Sequence, residues 1–92
     1  MRVHLEVCGA VQGVGFRWFT REIASRHDLA GWVRNRDDGC VELAVEGSDA
    51  AVQRFVAQVE RGPRGARVDR VTHLDPAALE VDPLPHPFAI LR

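Results

Sequence analysis

Lysine is absent from this sequence, and all twelve basic residues are arginine. Without a lysine amine the chain can form neither a Schiff base nor the Gly-Lys-Ser/Thr end of a Walker phosphate loop. The two cysteines, Cys8 and Cys40, are too few for a disulfide scaffold, and neither has a CxxC partner or a histidine cluster beside it. We therefore expect the protein to use neither a metal nor a cofactor.

Long hydrophobic runs are also absent: none approaches the roughly 20 residues that a membrane-spanning helix needs. Residues 1–6 lack the apolar core of a signal peptide, so we expect a cytoplasmic protein that does not contact a membrane. The net charge of −1 provides no broad basic field that would attract nucleic acid. The length of 92 residues and the hydrophobic content of 46% predict one globular domain over residues 1–92.

Hydrophobic periodicity predicts the order β-α-β-β-α-β, followed by a short C-terminal strand. The predicted strands cover residues 3–8, 32–35, 40–46, 66–74 and 88–91, and the predicted helices cover residues 16–27 and about 49–61. This order is typical of a ferredoxin-like α+β sandwich, in which two helices cover one face of an antiparallel sheet. Helical spacing places Thr20 on the water-facing side of the first helix, and strand alternation places Glu42 and Ala44 on the face of the sheet without helices.

A glycine-rich segment, residues 9–17, joins the first strand to the first helix. Gly9, Gly13 and Gly15 allow the backbone N–H groups to turn inward, and the helix N-terminus adds a partial positive charge. Arg17 adds a permanent cation with a planar fork of donors. These features predict a site for a tetrahedral oxyanion such as a phosphoryl group. A dinucleotide fingerprint is excluded because Trp18 stands where its third glycine would be, whereas an ordinary tight turn remains an alternative.

Asn35 ends the second strand, beside a hairpin turn that Asp38 and Gly39 predict. Asparagine is a common turn residue, so a purely structural role is one interpretation. Its amide is also both donor and acceptor, and can therefore hold a water molecule in one orientation near a bound phosphoryl group.

Two segments, residues 9–17 (GAVQGVGFR) and 31–42 (GWVRNRDDGCVE), resemble the two sequence signatures of the acylphosphatase family. Residues 62–68 and 88–90 are similar to weaker features of that family, so the resemblance runs nearly from end to end. It implies a ferredoxin-like sandwich that hydrolyses an acyl phosphate to a carboxylate and inorganic phosphate without a metal. Similar domains also occur inside larger carbamoyl-transfer maturation proteins, whose zinc-binding cysteines this sequence lacks.

The resemblance also implies a role for each residue of the site. Loop amides and the guanidinium of Arg17 would hold the phosphate, and Asn35 would orient the attacking water. The residues implied in substrate binding are Gln12, Gly13, Val14, Gly15, Phe16 and Arg17, and those implied in catalysis are Arg17 and Asn35. The implied partner is a small acyl phosphate, with no nucleic acid and no membrane, and we expect a monomer.

Residue chemistry supports a substrate with a good leaving group, because neither segment offers a strong general acid and the hairpin explains its two carboxylates, Asp37 and Asp38. Carboxylic acids have pKa values near about 4, so a carboxylate can leave without a proton. The main alternative is a non-catalytic module that binds a phosphorylated ligand. An RNA-binding module is a weaker alternative, because it would expose basic and aromatic residues on its central strands.

The predicted topology makes the first and third strands antiparallel neighbours. Cys8 ends the first strand and Cys40 begins the third, so we expect the two side chains to lie close together at the active-site end of the sheet. For a cytoplasmic protein we expect free thiols rather than a disulfide.

Overall fold

Five strands form one sheet, and two helices cover one of its faces. The computed structural model describes residues 1–91. The elements are β1 (Arg2–Ala10), α1 (Phe16–Arg26), β2 (Ala30–Asn35), β3 (Val41–Glu46), α2 (Asp49–Arg61), β4 (Arg67–Leu74) and β5 (Ala89–Ile90). The strand order is β4-β1-β3-β2-β5, which confirms the predicted ferredoxin-like arrangement. Within the described residues, no helix is long and apolar enough to span a lipid bilayer.

The last strand makes the sheet mixed rather than wholly antiparallel. β5 pairs parallel with β2, in the register Trp32↔Ala89, whereas all other neighbouring strands pair antiparallel. Because β4 and β5 lie at opposite edges of the sheet, residues 75–88 must cross from one edge to the other. We call these residues the crossover segment.

The main core lies between the sheet and the helices, and it is built from the predicted apolar faces. Its fully buried members include Leu5, Val7, Val33, Val41, Leu43 and Val45 from the strands, with Phe16, Ile23, Val52, Phe55 and Val59 from the helices. The prediction that Thr20 faces water is wrong, because this residue is completely buried. Its hydroxyl donates a hydrogen bond to the carbonyl of Phe16 at 2.8 Å, so burial leaves no polar group unpaired.

The face of the sheet without helices is also covered. Ala44 and Glu42 do point away from the helices, as strand alternation predicts, but both are buried instead of exposed. A second apolar cluster of Trp32, Ala44 and Leu84 joins the sheet to the crossover segment. The indole N–H of Trp32 donates to the carbonyl of Val81, which fixes the segment in place. The strand face that an RNA-binding sheet would present is therefore occupied by the protein's own chain.

Beneath the crossover segment, a buried ionic cluster joins three strands. Glu42 accepts a hydrogen bond from Arg34 at 2.9 Å, and its second carboxylate oxygen lies 2.6 Å from the imidazole Nε2 of His4. Burial alone would raise the pKa of Glu42, but the hydrogen bonds from His4 and Arg34 outweigh it, and the pKa lies below the usual value of the carboxyl group. The cluster is thus a paired charge, as burial of a carboxylate requires.

Candidate active site

Sheet register brings the ends of three strands together at one edge of the core. Val41, the first residue of β3, pairs with Val7 of β1 on one side and with Asn35 of β2 on the other. The chain leaving β1 enters residues 11–15, which we call the glycine loop, and the chain leaving β2 enters the β2–β3 hairpin. The glycine loop and Asn35, predicted from separate parts of the sequence, therefore lie toward the same end of the sheet, where Asn35 lines a polar depression with Arg36 and Asp38 rather than the surface lined by the loop.

Two glycines give the loop its shape. Gly13 and Gly15 have φ angles of 76° and 75°, which is the left-handed region that side chains disfavour. A Cβ atom at either position would meet no atom within 4 Å, so the backbone angle rather than the space requires glycine there. Gly9, in contrast, belongs to β1, where a Cβ would lie 2.1 Å from the carbonyl oxygen of Arg67. Gly9 therefore allows β4 to approach β1 and does not form part of the loop.

Gly15 is also the N-cap residue of α1, and it leaves the end of the helix open. No side chain caps this N-terminus, and the first turn contains no acidic residue. The first helical hydrogen bond runs from the amide of Phe19 to the carbonyl of Gly15 at 3.0 Å. The amides of the preceding turn have no partner within the helix, and their partial positive charge favours an anion.

A cleft opens at this helix end. Its lining is formed by Gly13, Gly15 and Arg17 together with the hydrophobic residues Val11, Phe16, Trp18 and Ile90. Arg17 is partly exposed, and no described carboxylate forms an ion pair with its guanidinium. The side chain of Phe16 is buried in the main core, and Val14 packs against that core. The loop therefore presents its backbone, rather than these two side chains, at the surface. The cleft thus combines a free cation, helix amides and an apolar wall.

Gln12 connects the glycine loop to the β2–β3 hairpin. Its side-chain amide donates to the carbonyl of Arg36 at 2.8 Å and to the carbonyl of Cys40 at 2.9 Å. Both side-chain donors are therefore directed at the protein, and any contact of Gln12 with a substrate would involve its backbone. We call these two hydrogen bonds the clamp of Gln12. The sequence does not reveal the clamp, because its two partners lie 24 and 28 residues away along the chain.

Asn35 carries an unpaired acceptor. Its amide oxygen is buried and has no hydrogen-bond partner among residues 1–91. An unpaired buried acceptor costs about 1–3 kcal/mol, so stability alone does not account for Asn35. Gln58 in α2 has a similar unpaired oxygen, but it lies in a groove between the helices with Phe19 and Arg61. Asn35 differs because it stands at the end of β2, next to the residue that Gln12 clamps.

The hairpin beyond Asn35 is held by its own polar groups. Asp38 accepts from the backbone amide of Cys40 at 3.0 Å, and Arg36 pairs with Glu6 of β1 at 2.7 Å. Gly39 has a positive φ of 91°, whereas Asp38 does not. Asp38 therefore shapes the turn, as predicted.

Cys8 and Cys40 lie beside the clamp, with their Cα atoms 4.4 Å apart. The prediction that they are neighbours is confirmed. The expectation of free thiols is wrong, because the two residues form a disulfide between β1 and the residue that precedes β3. The carboxylate of Glu6 lies within 4.8 Å of both sulfur atoms. Since the sulfurs are bonded to each other, they are not available as thiolate ligands to a metal.

The sequence profile of the acylphosphatase family matches residues 3–90. The chain belongs to the acylphosphatase family. It is 46% identical over 81 residues to the acylphosphatase of Geobacillus kaustophilus, an alignment that covers 88% of this chain and 85% of the relative. The fold matches the crystal structure of acylphosphatase from Bacillus subtilis with a TM-score of 0.87 and 41% identity, over 99% of this chain and 98% of the other.

A similar structure also forms part of a longer protein. The structure of HypF from T. kodakarensis matches this chain with a TM-score of 0.82 and 32% identity, but the match covers only 12% of HypF. The match to the Bacillus subtilis acylphosphatase, in contrast, extends over nearly the whole of both chains. The predictions of an acylphosphatase and of a ferredoxin-like fold are therefore confirmed by family and by structure.

Proposed function

We propose that this protein hydrolyses acyl phosphates to a carboxylate and inorganic phosphate, with the phosphate in the glycine loop and the water on Asn35. The observation that carries the proposal is the clamp of Gln12. It joins the glycine loop, which precedes the open N-terminus of α1, to the β2–β3 hairpin, which follows the unpaired amide oxygen of Asn35. Membership of the acylphosphatase family supports the same reaction.

Phosphate binding would use fixed positive charge. The backbone amides of residues 12–17 surround the phosphoryl oxygens, and the guanidinium of Arg17 neutralises their charge through paired N–H donors. In a loose phosphoryl-transfer transition state the negative charge is spread over the three equatorial oxygens. Prearranged amides and one arginine stabilise that charge directly, so the proposed reaction does not require a metal.

Water attack would depend on Asn35. The amide oxygen of Asn35 accepts a hydrogen bond from the water and so directs a lone pair of the water oxygen at phosphorus. An amide cannot remove the proton of the water. The substrate's own phosphate oxygen can accept that proton. As the water oxygen bonds to phosphorus, the bond from phosphorus to the acyl oxygen breaks, and the acyl group leaves as a carboxylate. With a pKa near about 4, the leaving acid needs no general acid at neutral pH.

The direct test is turnover of benzoyl phosphate by the purified chain in the presence of EDTA. We expect hydrolysis well above the spontaneous rate, with inorganic phosphate as a competitive inhibitor. An ordinary alkyl phosphate should not be hydrolysed, because its alkoxide is a much poorer leaving group. Saturable phosphate binding without turnover would instead identify a non-catalytic binding module and overturn the proposal.

A further inference from the structure

Trp18 is a large aromatic side chain that the fold itself does not use. It is 58% exposed, and among the described residues only Met1 is another large hydrophobic side chain with such exposure. The neighbouring aromatic residues of α1 do have packing partners, since Phe16 and Phe19 contact each other and the main core. The exposed indole therefore contributes little to stability, and a role in binding accounts for it better.

Its position directs the indole toward the cleft. Trp18 is the third residue of α1, and side chains on a helix lean toward the helix N-terminus, here toward Gly15 and the glycine loop. Trp18 lines the same cleft as Arg17, with Ile90 of β5 in the same lining. A phosphoryl group held by the loop and Arg17 would leave its acyl substituent between these two hydrophobic side chains.

We infer that Trp18 determines acyl-group specificity and selects acyl phosphates with a flat, apolar acyl group, such as an aromatic acid. This inference rests on the proposed function. Arg17 is the only charged residue that lines the cleft among the described residues, and the phosphate would engage it. A second charge on the acyl group would find no partner there. An aromatic ring can stack on the indole face and contact Ile90, whereas an acetyl group offers a single methyl.

The test compares benzoyl phosphate with acetyl phosphate in the wild type, in Trp18→Ala and in Trp18→Phe. For Trp18→Ala we expect kcat/KM for benzoyl phosphate to fall about tenfold, equivalent to 1.4 kcal/mol, while the value for acetyl phosphate changes less than about twofold. Trp18→Phe retains an aromatic face and should preserve most of the preference. Inhibition by inorganic phosphate should be the same in all three proteins, because the phosphate site is intact.

Ser25→Ala provides a matched control, since Ser25 is exposed on the same helix and does not line the cleft. It should leave the kinetics of both substrates unchanged. An equal loss for both substrates in Trp18→Ala, or no loss for either, overturns the assignment of Trp18 while leaving the proposed function intact. Failure of the wild type to hydrolyse either substrate overturns the proposed function itself.

Discussion

At the scale of single residues, Arg17 and Asn35 combine an available charge with an unpaired polar atom. Arg17 is partly exposed without an ion-pair partner among the described carboxylates, and Asn35 buries an acceptor that no described group satisfies. The buried acceptor of Asn35 lowers stability relative to a paired one, whereas the lack of an ion pair costs the partly exposed guanidinium of Arg17 little. Such losses are typical of sites in which groups are held ready for a ligand.

Replacing these residues should therefore separate activity from stability. For Asn35→Ala we expect kcat to fall about 10²–10³-fold with little change in the inhibition constant of phosphate, whereas Arg17→Ala should lose both phosphate affinity and rate. The melting temperature of Asn35→Ala should be unchanged or higher, because the unpaired oxygen is gone. Steady-state kinetics and thermal melting measure both effects.

Gln58→Met is the matched control for the unpaired oxygen. It removes the same kind of buried acceptor from α2, away from the glycine loop. We expect equal or higher stability together with wild-type kcat. If Asn35→Ala weakened phosphate binding as much as it lowered the rate, the proposed water-orienting role would be contradicted.

At the scale of secondary structure elements, the position of one hairpin relative to one loop sets the geometry of the proposed site. Gln12 is the direct link between them, through its bonds to Arg36 and Cys40. The same two carbonyls also accept backbone donors within the hairpin, from Gly39 and Arg36 respectively. Loss of the Gln12 side chain would thus leave neither carbonyl unpaired, and the hairpin itself would remain folded.

Removal of the clamp should impair catalysis more than folding. For Gln12→Ala we expect the free energy of unfolding to fall by only about 1 kcal/mol. We expect kcat to fall up to about 100-fold, because small displacements of reacting groups are costly. Gln12→Glu has nearly the same shape but no side-chain donor, and its negative charge faces two carbonyl oxygens, so its kinetic loss should be at least as large. Wild-type kcat in Gln12→Glu would show that the clamp is not needed.

At the scale of the whole molecule, covalent and ionic links fix the site to the sheet. The disulfide between Cys8 and Cys40 closes a segment with a sequence separation of 32. On the same helix-free face of the sheet, the crossover segment is tied by pairs such as Arg2–Asp82 and Arg34–Glu80. In a domain of this size, where the core is thin, the disulfide contributes a substantial share of the stability, whereas these exposed ion pairs contribute little.

The disulfide should make stability depend on reducing agent. For a closed segment of this length, the chain-entropy model gives about 3–4 kcal/mol, which reduction would remove. We expect denaturant unfolding of the wild type to shift to lower concentration in dithiothreitol. The double variant Cys8→Ser and Cys40→Ser should match the reduced wild type and be insensitive to dithiothreitol. Two titratable thiols in the air-oxidised native protein would contradict the bridge.

The sequence by itself determined the elements and their order, because hydrophobic periodicity is a local property that each strand or helix displays on its own. It also allowed Arg17 and Asn35 to be predicted as site residues, because each lies in a short segment whose pattern is visible on its own. Only the tertiary structure decided the contacts made across long separations. These are the clamp of Gln12, the bridge from Cys8 to Cys40, and the burial of Glu42 and Ala44 beneath residues 75–88. A side chain's alternation predicts the face on which it lies, whereas its burial depends on which distant part of the chain packs over that face.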